Sequence, residues 1–164
     1  MQVQGKSGNI HVMSEKPSVA AVRAWSRLVR TEQALLARVE DDLKRARFPP
    51  LAWYDVLHEL VCTPAGVLRQ AAVQERMLLA QYNLCRLVDR LEREGLVERR
   101  TSEEDARSNL LILTEKGREL HGRMWPAYAK AIETHVGERL TAEEAERLGQ
   151  ILGKLIGPPA PPET

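Results

Sequence analysis

The chain has 164 residues, 43% of them hydrophobic and 29% charged, with a formal net charge of +1; that suits one domain, or one domain with added helices, whose core needs no staples. A charge so near zero gives no support to nucleic-acid binding by itself, so any such function must rest on where the charges sit. Two cysteines without a CxxC pair exclude a disulfide scaffold, and the absence of an apolar run of ~20 residues or of an apolar signal core leaves a cytoplasmic protein with no membrane partner as the expectation.

Residues 1–17 read as a mobile tail. From Ser18 to about Ala46, Val22, Trp25, Val29, Leu36, Val39 and Leu43 recur at helical spacing among charged residues, which predicts one long amphipathic helix within 18–48. Phe48-Pro49-Pro50 should stop it, because a residue before proline is pushed out of helical geometry. A compact lobe is expected over 49–113. It starts with a helix from about Leu51 to Val61, broken at Thr63-Pro64-Ala65-Gly66. Helices over roughly Leu68 to Arg76 and Tyr82 to Glu94 follow, the second closed by Gly95. Leu96 to Arg100 and Asn109 to Leu113 then read as the two strands of a hairpin with a polar tip, the only β structure expected.

Residues 114–157 read as two more helices. Thr114 can cap one that runs to about Arg139, with Pro126 inside it. Thr141-Ala142-Glu143-Glu144 is a capping box, and the helix it opens carries Leu148, Ile151, Leu152 and Leu155 on one stripe. Residues 158–164 form a Pro-rich tail. The apolar stripes of the terminal helices exceed what a small lobe can cover, so they must meet each other or a second chain.

The chemistry lies in the segment from Leu78 to Arg100. On a helix over Tyr82 to Glu94, Leu84, Leu87, Val88 and Leu91 share one face and Asn83, Arg86, Arg90 and Arg93 the other. Gln81, Tyr82 and Asn83 fall at the N-terminal end. Polar groups there for base edges, with cations behind them for phosphates, are what a major-groove helix requires. A solvated amphipathic helix would carry the same stripe, and acids balance arginines between Pro64 and Leu113. The context favours DNA: a helix precedes this one, and a hairpin with Arg99, Arg100 and Arg107 follows it, placed to add phosphate or minor-groove contacts.

Arg86-Leu-Val-Asp-Arg-Leu-Glu, Gly95-Leu-Val-Glu-Arg, Asp105-Ala-Arg107 and Leu113-Thr-Glu-Lys-Gly117-Arg, in this order and spacing, resemble the MarR family of winged helix-turn-helix transcriptional regulators. The resemblance implies a mainly α fold, with the winged helix flanked by long N- and C-terminal dimerisation helices. It implies that Gln81, Tyr82, Asn83 and Arg86 enter the major groove. Arg107 would reach the minor groove, with Asp105 positioning the wing. Arg90 matches an arginine at the base of the recognition helix; a salt bridge to Asp89, Glu94 or the wing aspartate is the other reading of it.

The function expected is that of a homodimeric regulator of a near-palindromic operator in double-stranded DNA, acting as a repressor released by a small molecule. No cofactor and no enzymatic activity are expected, since no phosphate loop, nucleophile elbow or His-Glu-x-x-His is present. The resemblance also implies an effector cleft for a small aromatic molecule, with Trp25, Trp53, Tyr54 and His58 as candidates by position. His58 and Cys62, four apart on one helix face, raise a metal or redox sensor as an alternative, although two ligands do not make a metal site; Cys85 reads as packing. The other alternative is a winged-helix protein-interaction module, which should show exposed apolar anchors where this chain has arginines.

Overall fold

The elements follow the hydrophobic periods of the chain in order. The computed structural model describes residues 16–78, 83–101 and 109–156. It contains α1 (Val19–Arg45), α2 (Leu51–Val61), β1 (Val67–Arg69), α3 (Gln70–Arg76), α4 (Leu84–Arg93), β2 (Val97–Thr101), β3 (Asn109–Leu113), α5 (Glu115–His135), a 3-10 turn (Gly137–Arg139) and α6 (Ala142–Ile156). This is a mainly helical winged-helix arrangement with long helices before and after it. The tails expected at 1–17 and 158–164 lie wholly or almost wholly outside the described residues. Among those residues no helix is long and apolar enough to cross a membrane.

Local capping sets most boundaries. α1 ends at Arg45, before the prolines, because Arg47 adopts a left-handed conformation with φ 61°. Phe48 N–H then donates to Leu43 O at 2.9 Å and Arg47 N–H to Lys44 O at 3.0 Å, the pair of bonds that closes a helix at a left-handed residue. Thr114 caps α5 as expected, its hydroxyl accepting from Gly117 N–H at 3.0 Å. α5 stops at His135 rather than near Arg139, and the last residues tighten into the 3-10 turn. Thr141 and Glu144 form the reciprocal capping box of α6, at 2.9 and 3.3 Å.

Sequence reading missed one strand. β1 pairs antiparallel with β3, Val67 opposite Ile112, and β3 pairs with β2 on its other side, giving the order β1-β3-β2. Three residues have no measurable period, and the pairing partner lies far along the chain, so Leu68 read as the start of the next helix. Two glycines serve the passages between helix and sheet. Gly95 takes φ +68° directly after α4, a conformation that costs glycine nothing. At Gly117 any Cβ would lie 2.1 Å from Leu96 O, so the first turn of α5 can sit against the start of β2 only because it has no side chain there.

The chain divides into two compact units after Ala34. The first carries the N-terminal half of α1, with Val19, Val22, Trp25 and Leu28 exposed. The second carries all that follows. Its centre is Leu43 of α1, Leu57 and Leu60 of α2, Val73 of α3, Val88 and Leu91 of α4, Leu111 of β3 and Met124 of α5, each fully buried. His135 Nε2 lies 2.7 Å from Asp42 Oδ2 and joins the end of α5 to α1. Hydrogen bonds from Arg45 first and His135 second hold the Asp42 carboxyl below its ordinary value. α6 buries none of its residues.

Candidate nucleic-acid interface and a helix-lined cavity

α4 is amphipathic in the sense the sequence predicts. Leu84, Leu87, Val88 and Leu91 are buried, while Asn83, Arg86, Arg90 and Arg93 are exposed. The helix begins at Leu84, two residues later than the pattern predicts, with Asn83 as its N-cap. Asn83 Oδ1 accepts Arg86 N–H at 3.2 Å. Its carbonyl oxygen therefore serves the helix and its NH2 group faces outward as a donor. Lys116 Nζ reaches Glu94 O at the other end, at 2.5 Å, where the helix concentrates partial negative charge.

The arginines fall into two groups. Arg86 and Arg90 side chains are exposed and make no ion pair among the described residues. For Arg90 this removes Asp89 and Glu94 as partners. Arg93 and Arg99 make contacts within the chain instead. Arg93 Nε donates to Asp89 O at 3.2 Å. Arg99, read from sequence as a DNA contact, sits 2.5 Å from Asp89 and 3.6 Å from Glu92, with its side chain 26% exposed. It ties β2 to α4, because both acids stand one turn apart on the flank of α4 that β2 covers. Arg100 is exposed and pairs with Glu98 at 3.0 Å. Gln81, Tyr82, Asp105 and Arg107 lie outside the described residues.

A cavity of about 310 Å³ opens between α2, α5 and the C-terminal half of α1. Leu36, Leu51, Leu78 and Ile132 supply apolar wall; Tyr54, Trp125 and Tyr128 supply rings; Asp55 and His58 supply the polar groups. Tyr54 stacks on His121 with centroids 4.6 Å apart and meets Tyr128 edge-on at 5.1 Å. His58 Nδ1 lies 3.1 Å from His121 Nε2, so one ring donates and the other accepts. Burial first, then His58 and Arg118, lowers the His121 pKa from its ordinary value. Burial raises the Tyr54 and Tyr128 phenols, with Asp55 adding to the second.

Of the four residues read as effector contacts, Tyr54 and His58 are in this wall. Trp53 is not: it lies ~150° round α2 from the cavity face and packs, partly buried, against the core. Trp25 belongs to the N-terminal unit and is 67% exposed. Cys62 Sγ lies 3.5 Å from His58 Nε2, while His121 approaches the opposite nitrogen. The three groups form a row rather than converge on a point, and among the described residues no group of three His, Cys, Asp or Glu could hold a metal ion.

The MarR family model matches residues 49–108, which is the lobe that carries α4. Sco3205, a MarR family transcriptional regulator from Streptomyces coelicolor solved in complex with DNA, superposes with a TM-score of 0.74 at 26% identity, over 87% of this chain and 91% of its own. Sco5413, another MarR family regulator from the same organism, gives 0.68 at 26% identity, over 84% of this chain and 94% of its own. The PcaV transcriptional regulator, also from Streptomyces coelicolor, gives 0.62 at 26% identity, over 81% and 94%. The winged-helix lobe of this chain, residues 49–108, is thus similar to the MarR family.

Likeness at this level over most of both chains supports DNA-binding transcriptional regulation. The cavity contains residues that sequence reasoning passed over. Trp125, Tyr128 and Ile132 of α5 fall within ~60° of one another round the helix, a stripe that was visible as spacing but reads equally as core; His121, on the same stripe, backs the wall against Tyr54 and His58. Asp55 is the one acid in the buried part of α2, 4% exposed. A lone acid among apolar neighbours was the signal available for it.

Proposed function

We propose that the protein is a MarR family regulator that works as a homodimeric repressor of a near-palindromic operator and is released by a small aromatic ligand held in the cavity. The observation that carries the DNA-binding part is the outward face of α4. Its apolar stripe is satisfied within the lobe, and Asn83, Arg86 and Arg90 are left facing outward without an acidic partner among the described residues. In this reading α4 lies in the major groove, with the Asn83 amide and Arg86 at base edges and Arg90 near phosphate. Gln81 and Tyr82, which precede the helix in sequence, belong to the same proposed contact. Arg107 reaches the minor groove from the wing, positioned by Asp105. Arg99 contributes by holding β2 against α4 rather than by touching DNA. The relationship to Sco3205, whose structure contains DNA, supports the same placement.

The dimer rests on surface that one chain leaves uncovered. Leu148, Ile151 and Leu155 of α6 and Val22 and Trp25 of α1 are exposed, and pairing with a second copy is the simplest way to remove such stripes from water. Residues 18–48 and 114–157 then supply the interface and 49–113 the DNA-binding lobe. The complete reading is tested by footprinting the protein on the DNA upstream of its own gene. Two protected half-sites about one helical turn apart, ~34 Å, are the expected result. A monomer at micromolar concentration by sedimentation, or protection without two-fold symmetry, overturns it.

A further inference from the structure

Three successive carbonyls just past α4 meet donors from the start of α5. Lys116 Nζ donates to Glu94 O at 2.5 Å, the Thr114 hydroxyl to Gly95 O at 2.8 Å, and Thr114 N–H to Leu96 O at 3.2 Å. Carbonyls at a helix C-terminus have no partner inside the helix, and here another element supplies them. The Thr114 hydroxyl is used twice, because it also accepts Gly117 N–H at 3.0 Å as the cap of α5. Gly117 permits the close approach, since there is no room for a Cβ between it and Leu96 O. One side chain thus joins the end of α4, the entry to β2 and the first turn of α5.

The body of α4 is held by Leu84, Leu87, Val88 and Leu91. Apolar burial is non-directional, whereas hydrogen bonds weaken steeply with angle. α4 has 10 residues, a length of about 15 Å, so a tilt of about 10° at its C-terminal end moves its N-terminal end by about 2.5 Å. That far exceeds the range of roughly 0.5 Å within which N–H···O bonds are made. We propose that Thr114 is a positioning residue for DNA recognition: its hydroxyl, with Lys116 on the neighbouring carbonyl, sets the direction of α4 and so the aim of Asn83 and Arg86 at the other end. This rests on the reading of α4 as the groove helix. Thr114 acts through α4 and does not itself touch DNA.

The test separates the two uses of the hydroxyl. Thr114→Ser keeps both. Thr114→Asp keeps an acceptor for Gly117 N–H, since aspartate is a good N-cap, but has no proton to donate to Gly95 O. Each full-length variant is titrated against the DNA fragment protected in footprinting and against a scrambled fragment of equal length, with thermal melting measured alongside. The added carboxylate repels both fragments alike, so the ratio of the two affinities is the readout. Thr114→Asp should lower that ratio about tenfold, the size of one lost base contact, while melting close to Thr114→Ser. Thr114→Ser should keep the ratio of the unaltered protein. Lys116→Met should lower it about two- to fivefold, the range for one cation at a helix C-terminus, without changing the salt dependence on scrambled DNA. A salt dependence weaker by about one charge would make Lys116 a phosphate contact and overturn its part. A Thr114→Asp protein that melts like Thr114→Ser yet keeps the ratio overturns the proposal. If Thr114→Asp does not fold, Lys116→Met decides by the same ratio. Arg86→Ala, measured in parallel, separates this from the reading beneath it. Loss of the ratio in Arg86→Ala but not in Thr114→Asp leaves α4 as the groove helix and Thr114 as a cap alone. Loss in Thr114→Asp but not in Arg86→Ala keeps the positioning role and removes the Arg86 contact. Loss in neither overturns both.

Discussion

α4 and α6 are both amphipathic helices, and they end in opposite situations. α4 buries Leu84, Leu87, Val88 and Leu91 and turns its polar face to solvent. α6 has an equally regular stripe in Leu148, Ile151 and Leu155, yet none of its residues is buried and Leu148 and Ile151 remain 42% and 48% exposed. In α4 the hydrophobic requirement is met within the chain, so what projects outward is free for another molecule. In α6 the requirement is unmet, so the apolar face itself is the surface that calls for a partner. The same period thus leaves a polar face outward in one helix and an apolar face outward in the other.

That contrast can be broken or sharpened by five measurements. The largest effect belongs to Leu91→Ala, which removes a side chain that is 0% exposed. It should cost about 2–5 kcal/mol of stability in urea unfolding, whereas a loss under 1 kcal/mol would mean that α4 is not anchored as described. Next is Ile151→Glu on α6. The subunit should keep its helical circular dichroism, while the dimer loses an apolar contact of about 1.5–3 kcal/mol, read as a rise in dissociation constant of tenfold or more by sedimentation. Loss of the subunit fold instead would place α6 in the core of its own chain.

Somewhat smaller is the effect of the outward face of α4. Arg86→Ala should cost about 1–3 kcal/mol on operator DNA and much less on random DNA. Asn83→Ser keeps a cap for the helix and removes the amide, so it should weaken operator binding with little change in melting temperature. A loss of stability without a loss of DNA affinity would make Asn83 a cap and nothing more. The smallest effect sharpens the cavity. His121 is held below the ordinary imidazole value of 6.5, so below pH 6.5 the unfolded chain takes up a proton that the folded chain refuses. Its contribution to stability is complete above that pH and is lost as pH falls through the folded value. The melting temperature should drop on acidification below pH 6.5, and the drop should be smaller in His121→Gln.

Much of this was legible in residue order. The leucine and valine stripe of α4, the Thr114 and Thr141 caps, Gly95 and the hairpin strands are local signals, and the structure places each where they predict. β1 was not legible, because three residues carry no period and only pairing with β3 makes them a strand. Arg99 reads from residue order as one more cation; that its side chain lies against Asp89 and Glu92 is a contact between β2 and α4 that no spacing along the chain encodes. The cavity was half legible. Tyr54 and His58 were named from one helix, whereas Trp125, Tyr128 and Ile132 come from another, and Trp53 faces the other way round α2.

The sequence by itself determined which residues form helices, which faces are apolar and where cations line up, because periodicity and capping act over a few residues. The tertiary structure alone decided which charges are already spent on one another and which rings and carboxylate share a cavity. Those facts depend on residues far apart in the chain being brought within a few ångströms, and electrostatic and packing energies are set at that distance.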